Sequence, residues 1–198
     1  NSHIRNILGC AAIPEKDESE YDAEVDDDDA LGILSAGIVD ISDALVDESP
    51  LSNTLHVILE TLYRGLGFSH VLLCTVDTYR NTMEARFGFG AEIEAQVKNF
   101  KFPLAGHPDV FRAAVAKGVD IVIADIDHPH VRENIPEWYR LATKMPTFAL
   151  FPLNLRNLPV ALIYADKGEA GAIRFSESER GLIRTLRNQA LLAIRQSL

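Results

Sequence analysis

Between Thr147 and Asp166 the chain reads TFALFPLNL, then RN, then LPVALIYAD: two apolar runs joined by a polar pair, the pattern of a β-hairpin. Neither run alternates cleanly between apolar and polar residues. Dense apolar character on both sides of a strand implies that both faces are covered, which predicts a hairpin at the centre of a sheet with helices packed over it. His70 to Thr75 (HVLLCT) and Val119 to Ala124 read as further short buried strands. Met83, Ala85 and Phe87 alternate with Thr82, Glu84 and Arg86 as a half-exposed strand, with Asn81 at the turn before it and Gly88 and Gly90 at its end. Ala91 to Val97 has helical spacing, after which Phe100 and Phe102 resume an extended pattern.

The helical periods lie at the two ends and in the middle. Leu31, Leu34, Ile38, Ile41 and Leu45 follow a 3-4-3-4 spacing, a coiled-coil seam too short to hold alone; its partner is either a second copy or the last helix of the same chain. Ser49 and Pro50 suit the cap and first position of the next helix, whose stripe is Leu55, Ile58, Leu59, Leu62 and Leu66 and whose stop is Gly65 or Gly67. In GHPDVFRAAVAKG, Pro108 and Asp109 open a helix and Gly118 closes it. Asp125 to Lys144 is irregular, with one short helix over Pro136 to Thr143. Ser176 and Glu179 have capping-box spacing before a final helix, Glu177 to Ser197, whose apolar face is broadened by Leu191 and Leu192.

Charge separates the chain into two parts. Residues 1–29 hold ten acids and two bases, a balance of −8, whereas residues 30–198 hold nineteen acids and seventeen bases, a balance of −2. The acidic run EKDESEYDAEVDDDD reads as a disordered linker; as a calcium loop it lacks the internal Gly and closing Glu of EF-hand spacing. Asn1 to His3 reads as a tag remnant, since the sequence starts without Met and without a signal-peptide pattern. The expected domains are therefore 1–29 as tag remnant and linker, 30–49 as an N-terminal dimerisation helix, and 50–198 as one folded domain. A nearly neutral body without a basic stripe argues against nucleic acid as a partner. No apolar run approaches the ~20 residues that span a bilayer. Cys10 in the tail and Cys74 in a strand do not suggest a disulfide, which fits a reducing cytoplasm.

From about Pro50 onward the order of elements resembles a GAF domain, the small-ligand sensor module of many signalling proteins. The resemblance rests on LSNTLHVILETLYRGLGF followed by HVLLCTVD, on GHPDVFRAAVAKGVDIVIADID, and on FALFPLNLRNLPVALIYADKG with SESERGLIRTLRNQALLAI. It implies an α+β, PAS-like fold: a six-stranded antiparallel sheet with helices on one face as a dimer surface, and a pocket-covering segment on the other. In some bacterial proteins a GAF domain follows an HDOD domain, a catalytically inactive relative of HD-type phosphohydrolases, and IRNILGC ahead of the linker is compatible with the tail of one. The sequence departs from three specialised branches of the family. It has no NKFDE-type motif of cyclic-nucleotide binders, no Cys where bilin-binding relatives attach their chromophore, and only Cys74 in place of the pocket cysteines of GAF-like methionine-sulfoxide reductases.

Phe87, Phe102, Phe111, Trp138, Tyr139 and Phe148 are candidates to line a pocket that stacks a flat ligand; core packing is the competing account of the same residues. Trp138, in the irregular segment, is placed to act as a lid. His107, before Pro108 at a helix start, suits an anionic ligand group, or is a plain turn residue. Asp125, Asp127, His128 and His130 offer metal-ligand chemistry, but their spacing is not a strong metal signature and a polar loop at the pocket rim is the favoured reading. Phe87, Phe102, His107, Phe111, Asp125, His128, Trp138 and Phe148 are thus the expected ligand-binding set, with no catalytic or metal residue. The expected function is a non-enzymatic regulatory domain that binds an unidentified small molecule and forms a homodimer, with no cofactor indicated. The alternatives are an interaction domain whose pocket is filled by its own side chains, and a GAF-derived enzyme. On the hairpin, Ala149, Phe151 and Leu153 face opposite to Phe148, Leu150 and Pro152, and alternation alone leaves open which set meets the ligand.

Overall fold

The computed structural model describes residues 27–47 and 50–197; the expected tag remnant and most of the acidic linker lie outside them. The elements in order are α1 (Asp27–Val46), α2 (Leu51–Leu66), β1 (His70–Asp77), β2 (Thr82–Gly90), α3 (Ile93–Asn99), β3 (Lys101–Pro103), α4 (Val110–Lys117), β4 (Ile121–Ile123), a 3-10 turn (Arg132–Asn134), α5 (Glu137–Ala142), β5 (Thr147–Leu155), β6 (Leu158–Lys167) and α6 (Glu177–Gln196). They form two compact units. Residues 68–174 make the sheet unit, and the helices on either side of that segment make the other.

In the helical unit, α1 packs against α2 and α6 of its own chain. Leu34 and Ile41 of the 3-4-3-4 seam are fully buried, and Leu31, Ile38 and Leu45 are half-buried. The C-terminal helix is therefore one of the partners the seam required, and Gln189 fixes its position by donating to Ile38 O (3.2 Å) and Ser42 Oγ (2.8 Å). Helix α2 starts at Leu51, one residue later than expected. Pro50 is the extended cap residue (φ −51°, ψ 136°) rather than the first helical residue, and Ser49 lies outside the described residues. Gly67, in the left-handed region at φ 59°, ends the helix through its N–H to Tyr63 O. At the start of α6 the capping box forms as expected: Glu179 N donates to Ser176 Oγ and Ser176 N to Glu179 Oε2.

The sheet unit is a six-stranded antiparallel sheet in the order β3-β2-β1-β6-β5-β4. The hairpin forms from β5 and β6, with Arg156 (φ 51°) and Asn157 (φ 66°) as its two-residue turn. Positive φ at both central residues is the type I′ geometry whose twist matches that of the strands. β6 pairs with β1 at the middle of the sheet, so the densest apolar run occupies the most enclosed place.

Alternation decides which residues share a face, and one irregularity reverses it. Cys74 pairs with Ala85 and Leu73 with Phe87, leaving Arg86 as an extra residue in β2. An extra residue shifts the alternation by one position. Met83 and Ala85 therefore point into the cluster that contains Leu72 and Cys74, while Phe87 shares a face with its partner Leu73. On the hairpin, Phe148 and Leu150 belong to that same cluster, as do Leu162 and Tyr164 of β6. Ala149, Phe151 and Leu153 face the other way.

Candidate functional site

The clustered face of the sheet is covered by α4 and α5 and closed at one edge by the half-buried Ile93 and Val97 of α3. Each covering element is held by its own polar contacts. Asp109 caps α4 by accepting from Arg112 N (2.9 Å), a position one residue before the helix rather than inside its first turn. Arg112 then turns back over the loop, donating to Pro103 O, His107 O and Asp109 Oδ2 at 2.8, 2.8 and 2.6 Å. Burial holds the Asp109 carboxyl above its ordinary range, against the opposing pull of the Arg112 amide and guanidinium. Arg140 of α5 donates to Asp127 Oδ1 (2.7 Å) and Ile126 O (3.0 Å), which ties α5 to the loop after β4.

Beneath these elements lie seven aromatic rings in mutual contact: Phe100, Phe102, Phe111, Trp138, Tyr139, Phe148 and Tyr164. Trp138 stacks on Phe102 (centroids 5.2 Å apart, planes 12° apart) and lies 4.8 Å from Phe111 and 5.2 Å from Phe100. Trp138 is half-buried, yet its indole Nε1 is fully enclosed and has no hydrogen-bond partner. A buried N–H left unpaired is costly, so the donor is available to any acceptor brought to that spot.

A buried polar chain runs from this ring cluster to the end of the sheet. Tyr139 Oη donates to Met145 O (3.0 Å) and touches Tyr164 Oη (3.1 Å); Tyr164 donates to Asp166 Oδ2 (2.7 Å); Asp166 Oδ1 lies 2.9 Å from His70 Nδ1. Burial pushes both phenols well above their ordinary range, which keeps them protonated as donors.

The residues expected from sequence divide in two. Phe102, Phe111, Trp138 and Phe148 meet in the ring cluster, as does Tyr139. Phe87 does not, because the extra residue Arg86 turns it to the opposite face. His107 has an exposed side chain, and only its backbone carbonyl is engaged, by Arg112. Asp125 is a half-buried turn residue accepting from Asp127 N (2.9 Å); His128 is exposed beside His130, with centroids 5.4 Å apart. No group of three or more His, Cys, Asp or Glu among the described residues is placed to hold a metal ion. Phe100, Tyr164, His70 and Asp166 were not foreseen as site residues. A His opening one buried strand and an Asp closing another was the available signal, since a charged group inside an apolar run needs a partner.

The family model described as GAF domain matches residues 50–194. The chain belongs to the GAF family. Solved structures share its fold at low identity. A GAF domain of a phosphoenolpyruvate-protein phosphotransferase from Coxiella burnetii is 16% identical with a TM-score of 0.66, over 86% of this chain and 95% of the other. Free methionine-R-sulfoxide reductase from Neisseria meningitidis, in complex with its substrate, is 19% identical with a TM-score of 0.60, over 94% and 100%. The phycoerythrobilin-bound GAF domain of a cyanobacterial phytochrome is 15% identical with a TM-score of 0.62, over 83% and 96%. No curated protein sequence matches the chain significantly. No helix among the described residues of this GAF domain is long and apolar enough to cross a membrane. Its Cys74 lies fully buried in the face under the rings, and burial pushes the thiol far above its ordinary range, which keeps it out of the nucleophilic thiolate form.

Proposed function

We propose that this GAF domain is a non-enzymatic regulatory module of a signalling protein, taking a small flat ligand against its ring cluster and dimerising through its terminal helices. The observation that carries the reading is Trp138: a half-buried indole lying against three phenylalanines, with an enclosed N–H that has no partner. A flat ligand with one hydrogen-bond acceptor would replace the ring contacts by stacking and engage that N–H. Two structures of similar fold, one bound to phycoerythrobilin and one to its substrate, support the use of such a domain as a holder of small molecules. For dimerisation, the support is the apolar surface left on α1, where Val39 is 59% and Val46 81% exposed. A cytoplasmic setting fits the free thiol of Cys74, and an adjoining HDOD domain belongs to the same reading.

Trp138 is the single tryptophan of the chain, so its fluorescence reports on the site without interference. A screen of flat heteroaromatic compounds is expected to yield one that both quenches or shifts this emission and raises Tm by linkage. If no compound across nucleotides, haem-like molecules and small metabolites does either, the ligand reading fails. Light scattering that gives a monomer at high micromolar concentration removes the dimer.

The close stacking of Trp138 on Phe102 favours a second reading, an interaction domain whose pocket is filled by its own rings. In that case the emission stays unchanged with every compound, and Trp138 is shielded from small neutral quenchers. An enzymatic reading would require activity that is lost on substitution of His107 or His128. Both side chains are exposed and neither reaches the ring cluster.

A further inference from the structure

His70 opens β1 with a buried ring whose two nitrogens both have partners. Nδ1 lies 2.9 Å from Asp166 Oδ1 and Nε2 lies 3.0 Å from Ala91 O. A neutral imidazole has one N–H, and here each ring nitrogen faces an oxygen that only accepts; the imidazolium alone donates to both. Gln96 brings its amide to 3.3 Å from Nδ1, while its Oε1 is buried with no partner. A half-turn of that amide would point the oxygen at an Nδ1 proton, which the imidazolium and the neutral Nδ1–H tautomer both carry. The His70 side chain is 6% exposed and that of Asp166 is fully buried. Gly90, at φ 137°, makes room for the ring: a Cβ there would collide with His70 Cδ2. The hydrogen bond that His70 donates to Asp166 raises the pKa of His70 above its ordinary value; burial opposes this, and the charge of Asp166, the Ala91 carbonyl and the Glu92 carboxylate add to it.

Apart from Asp166 on β6, the polar partners of the ring, Ala91 and Gln96, belong to the turn into α3 and to that helix. That helix has seven residues and none of them is fully buried. So short a helix does not hold by its own hydrogen bonds. Glu92, which precedes it, sits in the left-handed region at φ 50° without a side-chain cap bond. What fastens α3 is the pair of half-buried residues Ile93 and Val97 against the core cluster, together with the His70 contacts to Ala91 and Gln96.

We propose that protonated His70 is a latch that fastens α3 to the end of the sheet, so that loss of one proton frees α3 as a lid at the edge of the ring cluster. The chemistry of the release follows from donor counting. On losing a proton the ring keeps one N–H, and the bond to the buried Asp166 carboxylate is the stronger one to keep. The Ala91 bond is then the one surrendered, and with it the hold on the turn. Charged groups facing His70 are Asp166 from β6 and Glu92 from the turn, both favouring the cation; Gln96 from α3 and Tyr164, through the second oxygen of Asp166, are the neutral neighbours. The latch does not depend on any ligand being bound.

The test follows His70 and α3 in the same sample. NMR of the His70 ring gives its titration between about pH 5 and pH 9, and amide hydrogen exchange, corrected for intrinsic rates, gives the protection of Ile93 to Phe100, with Leu162 and Tyr164 of β6 as internal reference. Protection of α3 should fall at least about tenfold across the His70 midpoint while the β6 amides hold. Glu92→Gln should lower that midpoint, with the loss of α3 protection moving alongside it, and Asp166→Asn should do so more strongly if it folds. Loss of protection that does not track the His70 midpoint overturns the latch, as do α3 amides that are unprotected at every pH or equally protected throughout. The wild-type comparison decides the matter without either variant.

Discussion

Gly37 of α1 lies so close to the Thr61 side chain of α2 that a Cβ at position 37 would overlap Thr61 Oγ1 and Cγ2. Helix interiors ordinarily favour Ala over Gly by about 1 kcal/mol, and here the contact reverses that preference. Thr61 is β-branched and buried, so it cannot swing aside. Gly37→Ala should destabilise by about 1–3 kcal/mol, whereas Gly32→Ala, on the same helix with nothing within 4 Å, should be neutral or stabilising. Urea denaturation of the two variants checks the opposite signs; equal effects would mean that α1 and α2 are not in close contact at Gly37.

The cap of α6 offers a second test of local structure. Ser176 and Glu179 satisfy each other's backbone N–H groups, so Ser176→Ala should cost about 0.5–2 kcal/mol, measured as a lower denaturation midpoint with an unchanged slope. Ser176→Asp should recover most of the loss, because its carboxylate also caps and suits the positive end of the helix.

Helix periods, the hairpin and the order of elements along the chain were readable because each rests on spacing that the chain repeats locally. Residues that depend on a single event or on distant pairing were not. Phe87 follows Met83 and Ala85 in unbroken alternation, and nothing in the sequence announces that Arg86 is the extra residue that turns Phe87 away. His70 and Asp166 are 96 positions apart, so their bond exists only once β1 and β6 are neighbours. Phe111, Trp138 and Phe148 could be named individually as aromatics, but their meeting is a property of α4 and α5 lying over β5. His107, Asp125 and His128 illustrate the converse: polar residue types that suggest chemistry, yet whose backbone turns and surface contacts account for their places.

The ring cluster should also be the most sensitive part of the sheet unit. Phe111 is fully buried and touches Phe100, Phe102, Trp138, Tyr139 and Phe148. Phe111→Ala should therefore cost about 3–5 kcal/mol. Tyr164→Phe keeps the ring but removes the donor to Asp166 Oδ2, for a loss of about 1–3 kcal/mol. The discriminating measurement is Trp138 emission: the first variant should shift it by opening space beside the indole, and the second should leave it where it is.

Stability should fall as pH rises above the ordinary histidine value of about 6.5. His70 has a folded pKa raised above its ordinary value, so the stabilisation from its proton is fully present below about pH 6.5 and is lost as pH rises through the folded value. Asp109, also raised in the folded state, acts in the same direction but from the acidic range upward. The denaturation free energy should decline as pH rises from about 6.5 through the His70 midpoint of the folded protein, and His70→Gln should flatten that part of the profile. A decline of the same size in the variant would assign it to other groups.

The hairpin turn leaves room for improvement. Arg156 holds φ 51° and Asn157 φ 66°, and a long side chain in the left-handed region is disfavoured where Asn and Gly are at ease. Both residues are exposed, so their side chains add little packing to offset this. Replacing the pair by Asn-Gly supplies the residues that a type I′ turn prefers. The double variant Arg156→Asn with Asn157→Gly should gain about 0.5–1 kcal/mol. The gain should be accompanied by slower amide exchange at Leu155 and Leu158, the last pair of the ladder beside the turn. A variant that is less stable, or that exchanges faster at those two amides, would show that Arg156 does more at the hairpin tip than adopt the turn.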